Sequence, residues 1–278
     1  MNKHVVPVVR YLLLILILVV TIFPLVWLFL ATFKTSTEIF GANSILPERF
    51  SFDAYVNGWK GSGQFTYSTF LLNSFKLVVP TVLLTIVSSI LVGYGFARFK
   101  FPFKRAMKII LISTLMLPNA ILIVPRYIMF AKFNWTNTYL TFFIPAVLGC
   151  YPFFVYWMIQ FFRGLPRDLD ESARIDGCNS FTLLVRILLP LCKPAIFSVG
   201  LFQFMWTWND YFNANIYINS VKKYPLPLAL RMSLDSQASV DWSRILAMSL
   251  VAIIPCIILY FLGQKYFVEG VATTGLKG

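Results

Sequence analysis

The sequence has 278 residues, of which 58% are hydrophobic and 13% are charged, and its mean hydropathy is +0.74. Soluble domains carry about 25% charged residues, so this composition excludes an ordinary water-soluble protein and predicts an all-α membrane protein. The net charge of +13 does not indicate nucleic-acid binding, because Lys and Arg are scattered between long apolar runs and form no single patch.

Six stretches of the chain approach the roughly 20 apolar residues that a membrane-spanning helix needs. The first is longer than the apolar core of a cleaved signal peptide and lacks a small-residue cleavage site, so it is interpreted as a retained span. The six predicted spans are 11–33, 77–97, 109–125, 139–162, 194–218 and 245–264.

The distribution of Lys and Arg predicts the orientation of these spans. Basic residues are nearly twice as dense in segments 1–10, 98–108, 163–193 and 265–278 as in segments 34–76, 126–137 and 220–244. The positive-inside rule therefore puts both termini in the cytoplasm. No internal repeat or linker is found, so the chain is expected to be one membrane domain, 1–278, with core spans 71–268 and a cytoplasmic loop 163–193.

The loop 163–193 holds four of the eleven acidic residues within nine positions. Asp168 and Glu171 have the spacing of a capping box, and acidic residues suit the positive end of a helix dipole. Gly177 predicts a left-handed stop, so a helix of about 12 Å is expected over 169–176. Asn179 or Ser180 is expected to cap a second helix, which ends at Pro190. Its predicted apolar face contains Phe181, Leu184, Val185 and Leu188.

A short capped helix between two spans has two interpretations. It is either a rigid handle on which a cytoplasmic partner pushes, or an amphipathic connector that lies on the lipid surface.

Two ionisable residues, Arg126 and Asp210, lie within or beside predicted spans, where such residues are functional candidates. On unbroken helices both would lie near the outer interface. They are expected either to pair or share a water-filled vestibule, or each to extend separately to the membrane surface.

One side of the predicted span 194–218 is polar. It could line a pathway for a hydroxyl-rich solute, or it could form helix–helix hydrogen bonds and an interfacial aromatic belt. With Arg126, the candidate pathway residues are Gln203, Trp206, Thr207, Asp210, Asn213 and Tyr217.

A spaced pattern in the cytoplasmic loop resembles the EAA loop of ABC importer permeases, which reads Glu-Ala-Ala, three residues, Gly, nine residues, Ile-x-Leu-Pro. Here the order is Glu171-Ser172-Ala173, three residues, Gly177, nine residues, Ile187, one residue, Leu189-Pro190. Ser172 is the one departure. The resemblance implies the type I ABC importer permease fold and a helix that docks in a cleft of an ATPase. The coupling residues it implies are Asp168, Asp170, Glu171, Ser172, Ala173, Asp176, Gly177, Ile187, Leu189 and Pro190.

Other stretches resemble carbohydrate-uptake permeases, and in particular the smaller maltose-type subunit. They are 93–101, 208–212 and the tail 264–278. The family usually has Glu where Asp210 stands. The resemblance implies import of a carbohydrate by alternating access across the inner membrane of a prokaryote. Its implied partners are a larger homologous permease, two ATPase copies and an extracytoplasmic binding protein.

No Gly-x4-Gly-Lys-Ser/Thr motif is present, so energy for transport is expected from another subunit or from an ion gradient. Since Asp210 and Arg126 are the only ionisable candidates in the spans, an ATP-driven partner is favoured, and the resemblance implies ATP and magnesium on partner ATPases and no cofactor on this chain. The only histidine is His4 and no Cys-x-x-Cys pair occurs, so neither a catalytic residue nor a metal site is predicted. The alternatives are a permease for polyamine or phosphonate, a polytopic membrane enzyme, and an ion channel or gradient-driven carrier.

Overall fold

The structure of the protein, a computed structural model, describes residues 5–41, 44–61, 64–235 and 240–275. These residues form helices and connecting turns, and no β-strand occurs among them, in agreement with the all-α prediction. In chain order the helices are α1 (Val5–Ala31), α2 (Ser36–Gly41), α3 (Asp53–Trp59), α4 (Tyr67–Arg98), α5 (Lys104–Met116), α6 (Asn119–Lys132), α7 (Leu140–Val147), α8 (Pro152–Gly164), α9 (Asp168–Ile175), α10 (Ser180–Thr182), a π-helix (Leu183–Leu188), α11 (Leu189–Leu191), α12 (Lys193–Trp208), α13 (Tyr211–Tyr217), a 3-10 turn (Val221–Lys223), α14 (Leu226–Asp235) and α15 (Trp242–Gly275).

Within these described ranges, four helical segments are each long and apolar enough to cross a membrane. They are Arg10–Ala31, Tyr67–Arg98, Leu140–Gly164 and Trp242–Lys265. Two further candidates are bent pairs: α5 with α6, at an angle of 107°, and Ser180–Leu191 with α12, at 78°. The structure therefore contains four to six candidate spans, depending on whether each bent pair counts as one.

The prediction of unbroken third and fifth spans is wrong. In the third, Pro118 has no N–H to donate, and proline biases the residue before it towards extended backbone. Leu117 is extended, with φ −75° and ψ 122°, and it separates α5 from α6. In the fifth, α12 ends at Trp208, and Asp210 begins α13 with a non-helical ψ of 78°.

One compact unit comprises residues 1–71 and 229–254. A hydrogen bond joins its two segments, since Tyr67 Oη donates to the carbonyl of Met248 at 2.7 Å. Within the first segment, the hydroxyls of Thr32 and Tyr55 are 2.8 Å apart. None of the residues in the most apolar stretch of α1 is buried. An apolar helix without cover is stable in lipid and not in water.

The second compact unit comprises residues 72–228 and 255–278. Its largest cluster of buried side chains joins α4, α8, α9, the π-helix and α12, and it includes Tyr94, Phe162, Ala173 and Leu188. A second cluster surrounds Tyr217. The candidate cytoplasmic loop thus packs directly onto α4 and α8.

Gly93 allows α4 and α8 to approach closely, as its spacing from Ala97 predicts. A Cβ at position 93 would lie 2.7 Å from Met158 Cβ and 3.2 Å from the carbonyl carbon of Met158. Gly95, two residues further on, has no neighbouring atom within 4 Å of its Cβ position. Gly93 and Gly95 therefore serve as a crowded position and an open control position for adding a larger side chain.

We expect Gly93→Val to lower the midpoint of thermal unfolding in detergent, because overpacking a close contact costs about 1–3 kcal/mol. Gly95→Val serves as the control and should have a smaller effect. Equal shifts for the two variants would contradict the close approach at Gly93.

Candidate functional site

The helix predicted in the cytoplasmic loop is present as α9, Asp168–Ile175, with Asp168, Asp170 and Glu171 in its first turn. It ends where predicted: Gly177 has φ +80°, the left-handed conformation that favours glycine. The N–H of Gly177 donates to the carbonyl of Arg174 at 3.0 Å, and that of Cys178 to the carbonyl of Ala173 at 2.9 Å. These two bonds make a Schellman motif, which closes the helix firmly.

The predicted capping box at Asp168 and Glu171 is wrong. The residue before the helix is Arg167, which already has helical dihedral angles and makes no side-chain cap. Asp168 is therefore the first residue of the helix, and the cap position before it belongs to Arg167, whose side chain has no acceptor for the free N–H groups. The spacing does form a reciprocal box elsewhere, since Thr35 N–H donates to Glu38 Oε2 at 2.6 Å and Glu38 N–H donates to Thr35 Oγ1 at 3.3 Å.

The second helix of the loop is capped by Asn179, one of the two predicted residues, whose side chain accepts the N–H of Thr182 at 2.8 Å. Its predicted apolar face is only half right. Leu184 and Leu188 are buried, whereas Phe181 and Val185 are 71% and 42% exposed. The π-helix explains the difference, because its i to i+5 hydrogen bonds bring Leu183, and not Val185, to the side of Leu188.

The outer surface of the loop exposes charges and two large apolar side chains. Ile175 is 87% exposed at the end of α9, and Phe181 is 71% exposed at the start of the next helix. Glu171, Ser172, Asp176 and Gly177 are exposed on the same segment, as are Asp168 and Pro190, whereas Asp170, Ile187 and Leu189 are half-buried. Ala173 is buried at 2% exposure, so α9 has one fixed face and one free face.

Three contacts that two residues of α4 make with the loop were not predicted from the sequence. Arg98 Nε lies 3.1 Å from Asp170 Oδ2, with side chains only 5% and 14% exposed, and Arg98 Nη2 donates to the carbonyl of Leu165 at 3.2 Å. Tyr94 Oη donates to the carbonyl of Ser180 at 3.0 Å. In the sequence Arg98 is the first residue of the basic segment 98–108, and no local pattern pairs it with an acid in another segment.

Asp210 lies between two helices and not within one. Its Oδ1 accepts the N–H of Asn213 at 2.9 Å, and its Oδ2 accepts the side-chain amide of Asn213 at 2.8 Å, so it caps α13. Since the helix breaks at 209–210, the residues before and after the break do not share one continuous face. The predicted polar stripe from Gln203 to Tyr217 is therefore wrong as a helical surface.

The structure nevertheless brings several of the predicted pathway residues into one neighbourhood. The ring of Phe130, one turn after Arg126 on α6, lies 5.2 Å from the ring of Tyr217 on α13, and among the described residues no ion pair joins Arg126 to Asp210. Arg126 Nη1 donates to Asn119 Oδ1 at 3.4 Å.

Three of the remaining stripe residues lie on α12. Gln203 and Thr207 are buried and hydrogen-bonded to each other at 2.9 Å. Trp206 is 50% exposed, and its ring lies 5.1 Å from that of Phe153 and 5.0 Å from that of Phe154. Of the predicted tail motif, residues 276–278 lie outside the described residues.

Comparison with known proteins gives one family and several full-length relatives. Residues 89–273 match the family described as binding-protein-dependent transport system inner membrane component. The arabinooligosaccharides transport system permease protein of Bacillus subtilis (strain 168) is 32% identical over 92% of this chain and 91% of that protein. The trehalose/maltose transport system permease protein of Thermococcus litoralis is 27% identical over 95% and 94% of the two chains.

A similar solved structure is that of a bacterial ABC transporter involved in the import of the acidic polysaccharide alginate. The TM-score is 0.84, the identity is 21%, and the match covers 96% of this chain and 98% of the other. At this identity the likeness shows a common fold.

Gly177→Ala is expected to destabilise the end of α9 through its backbone alone. No atom lies within 4 Å of the Cβ position at Gly177, but an L-residue in the left-handed region costs roughly 1–2 kcal/mol. Amide hydrogen exchange of the peptide 168–178 should therefore be about tenfold faster. Gly164→Ala is the control, because its Cβ position is equally open and its φ is not left-handed. Similar exchange rates in the two variants would contradict the role of Gly177.

Proposed function

The chain belongs to the family of binding-protein-dependent transport system inner membrane components, and from this we propose that it is one of the two permease subunits of an ATP-driven ABC importer for a carbohydrate. Support for the cargo comes from the relatives, whose names specify arabinooligosaccharides, diacetylchitobiose and trehalose/maltose. The subunit performs no covalent chemistry in this proposal. It alternates between inward-open and outward-open states, and a loaded binding protein favours the outward state by its higher affinity for it.

The observation that carries this proposal is the exposed surface of α9. Ile175 at the end of α9 and Phe181 after the Gly177 turn are 87% and 71% exposed, and two large apolar side chains exposed beside an acidic helix suit a surface that a partner covers. We infer that the ATPase binds here and that the segments Glu171–Gly177 and Ile187–Pro190 receive the movement of its closure. ATP and magnesium belong to the ATPase in this scheme.

The proposed topology has six crossings, with both termini and the loop 163–193 in the cytoplasm. It counts each bent helix pair as one crossing, and it is supported by the density of Lys and Arg in these segments. In this arrangement the chain acts as one membrane domain, 1–278, in the inner membrane of a prokaryote.

The proposed assembly contains a larger homologous permease, two ATPase copies and an extracytoplasmic binding protein. Segments 34–76 and 220–244 are proposed to contribute to the docking surface of the binding protein, where Phe40 and Trp59 are 70% and 44% exposed. The tail 264–278 is proposed to reach the ATPase.

The proposed substrate pathway passes the neighbourhood of Arg126 and Asp210, with Gln203, Thr207, Asn213 and Tyr217 as further polar groups. Trp206 is its most accessible aromatic ring, and a half-exposed indole suits the apolar face of a pyranose. Polar groups beside the ring can accept hydrogen bonds from sugar hydroxyls.

The proposed function is tested by uptake of labelled oligosaccharide into proteoliposomes that contain the complete transporter. Uptake should require ATP inside, the ATPase and the binding protein. Uptake by this chain and its partner permease alone, or uptake driven by an ion gradient, would contradict the proposal. Polyamine and phosphonate offered in the same assay distinguish the cargo alternatives.

Replacing Ile175 or Phe181 by Ser should weaken ATPase binding to the detergent-solubilised permease about tenfold or more, since burying such a side chain contributes about 1.5–3 kcal/mol. Phe40→Ser is the matched control, because Phe40 is equally exposed but lies on a segment assigned to the opposite side. The dissociation constant measured by biolayer interferometry checks this. An ATPase affinity that is unchanged in both loop variants would place the docking surface elsewhere.

Trp206→Cys and Asp210→Cys should react with a charged aqueous thiol reagent during turnover, in a background without the four native cysteines. Met205→Cys is the control: Met205 is 38% exposed but lies beside Trp206 on another face of α12. Labelling at 205 without labelling at 206 and 210 would exclude this pathway.

A further inference from the structure

A buried ion pair joins the last turn of α4 to α9, the docking helix on which the ATPase is proposed to bind. Arg98 Nε and Asp170 Oδ2 are 3.1 Å apart, and the two side chains are 5% and 14% exposed. Arg98 also donates to the carbonyl of Leu165, just before α9 begins. The guanidinium of Arg98 therefore contacts both the backbone just before α9 and the first turn of α9.

A contribution to the stability of the fold is a weak explanation for the presence of such an ion pair. Removing two charges from water costs several kcal/mol per ion, and well-packed apolar residues often replace a buried ion pair without loss of stability. Here the pair is also incompletely satisfied, since Arg98 Nε and Asp170 Oδ1 are both buried without a hydrogen-bond partner. The ion pair therefore supplies attraction between opposite charges, and the hydrogen bond from Arg98 Nη2 to Leu165 supplies the directional contact.

Tyr94 provides a second contact one helical turn before Arg98, on the same face of α4. Its hydroxyl donates to the carbonyl of Ser180, beyond the Gly177 turn. The ring of Tyr94 packs edge-on against Phe162 of α8 at 5.8 Å, which fixes its position. The end of α4 therefore holds the loop on both sides of Gly177.

The covalent chain joins α9 to α8 and to α10, but not to α4, which precedes it by 70 residues. Any displacement of α9 can reach α4 only through non-covalent contacts. Apolar contacts, such as those around Ala173, resist separation but allow sliding. The hydrogen bonds that Arg98 and Tyr94 donate to loop carbonyls have a defined geometry and can transmit movement in a defined direction.

We propose that Arg98 and Tyr94 are positioning residues that link the docking helix α9 to the membrane helix α4, so that ATPase closure moves α4 together with α8 and α12. This inference rests on the proposed function, because it requires an ATPase on α9. It assigns a specific role to two residues of α4 that lie outside the loop pattern.

The test compares transport per ATP hydrolysed in the reconstituted transporter. Arg98→Met combined with Asp170→Leu removes both charges and leaves no unpaired buried ion. We expect the double variant to transport at least about fivefold less solute per ATP hydrolysed, and its ATPase affinity is measured in the same preparation because Asp170 lies on α9. Arg105→Met is the control, since it removes an exposed charge from the same cytoplasmic stretch.

Tyr94→Phe gives an independent measurement, because it removes one hydroxyl and keeps the packed ring. It should lower transport per ATP without changing ATPase affinity or the midpoint of thermal unfolding. If the double variant fails to assemble, this variant decides the question. Arg98→Lys should retain part of the coupling, because it keeps the charge and loses the guanidinium geometry.

The inference is overturned if Tyr94→Phe, and the double variant where it assembles, transport as much solute per ATP as the wild type. That result leaves the proposed function intact, since the wild type would still require ATP. Uptake by the wild type without the ATPase would instead overturn the proposed function.

Discussion

Hydrocarbon offers the backbone no hydrogen-bond partner, and this constraint governs where helices of the protein can end. Asp210 satisfies the start of α13 with its own carboxylate. Ser88 donates to the carbonyl of Ala146 at 2.6 Å, near the end of α7. Asn137 accepts the N–H groups of Asn219 and Ser220 at 3.2 and 3.0 Å, just beyond α13. The start of α13 and the backbone near the ends of α7 and α13 are thus satisfied by polar side chains, whereas the break at Leu117–Pro118 has no side-chain cap.

The two sides of α9 also differ in which of their residues are held by other helices and which are exposed. Its inner side is fixed by buried Ala173 and by the Asp170 carboxylate, while Glu171 and Ile175 face outwards. A Schellman motif and the Asn179 cap make the ends of the two loop helices well defined. The loop is therefore a stiff body with one attached face and one free face, which suits an element that receives force from a partner.

Local sequence signals predicted the local structure of the loop well, because their causes lie within a few residues. Gly177 and Asn179 act through backbone conformation and a hydrogen bond three residues away, so their positions sufficed. The predicted cap at Asp168 is absent because the helix begins one residue earlier than expected, directly after Arg167. Helix propensity does not distinguish these two starting points. Hydropathy also identified the apolar segments but not the bends, since an apolar count ignores the missing N–H of Pro118. Arg98 and Asp170 are 72 residues apart in sequence, and only the fold brings them together.

The exposed apolar surface of α1 has a consequence for how this helix lies in a bilayer. Its apolar stretch, Arg10–Ala31, has 22 residues and a length of about 33 Å, close to the roughly 30 Å of a typical hydrocarbon core. It contains no glycine and only one alanine, at its end, so it lacks the small-residue surface that favours tight helix pairing in lipid. Its apolar length is therefore sufficient to cross a typical bilayer with some tilt, and a thinner bilayer is accommodated by a larger tilt or by local thickening of the lipid around it.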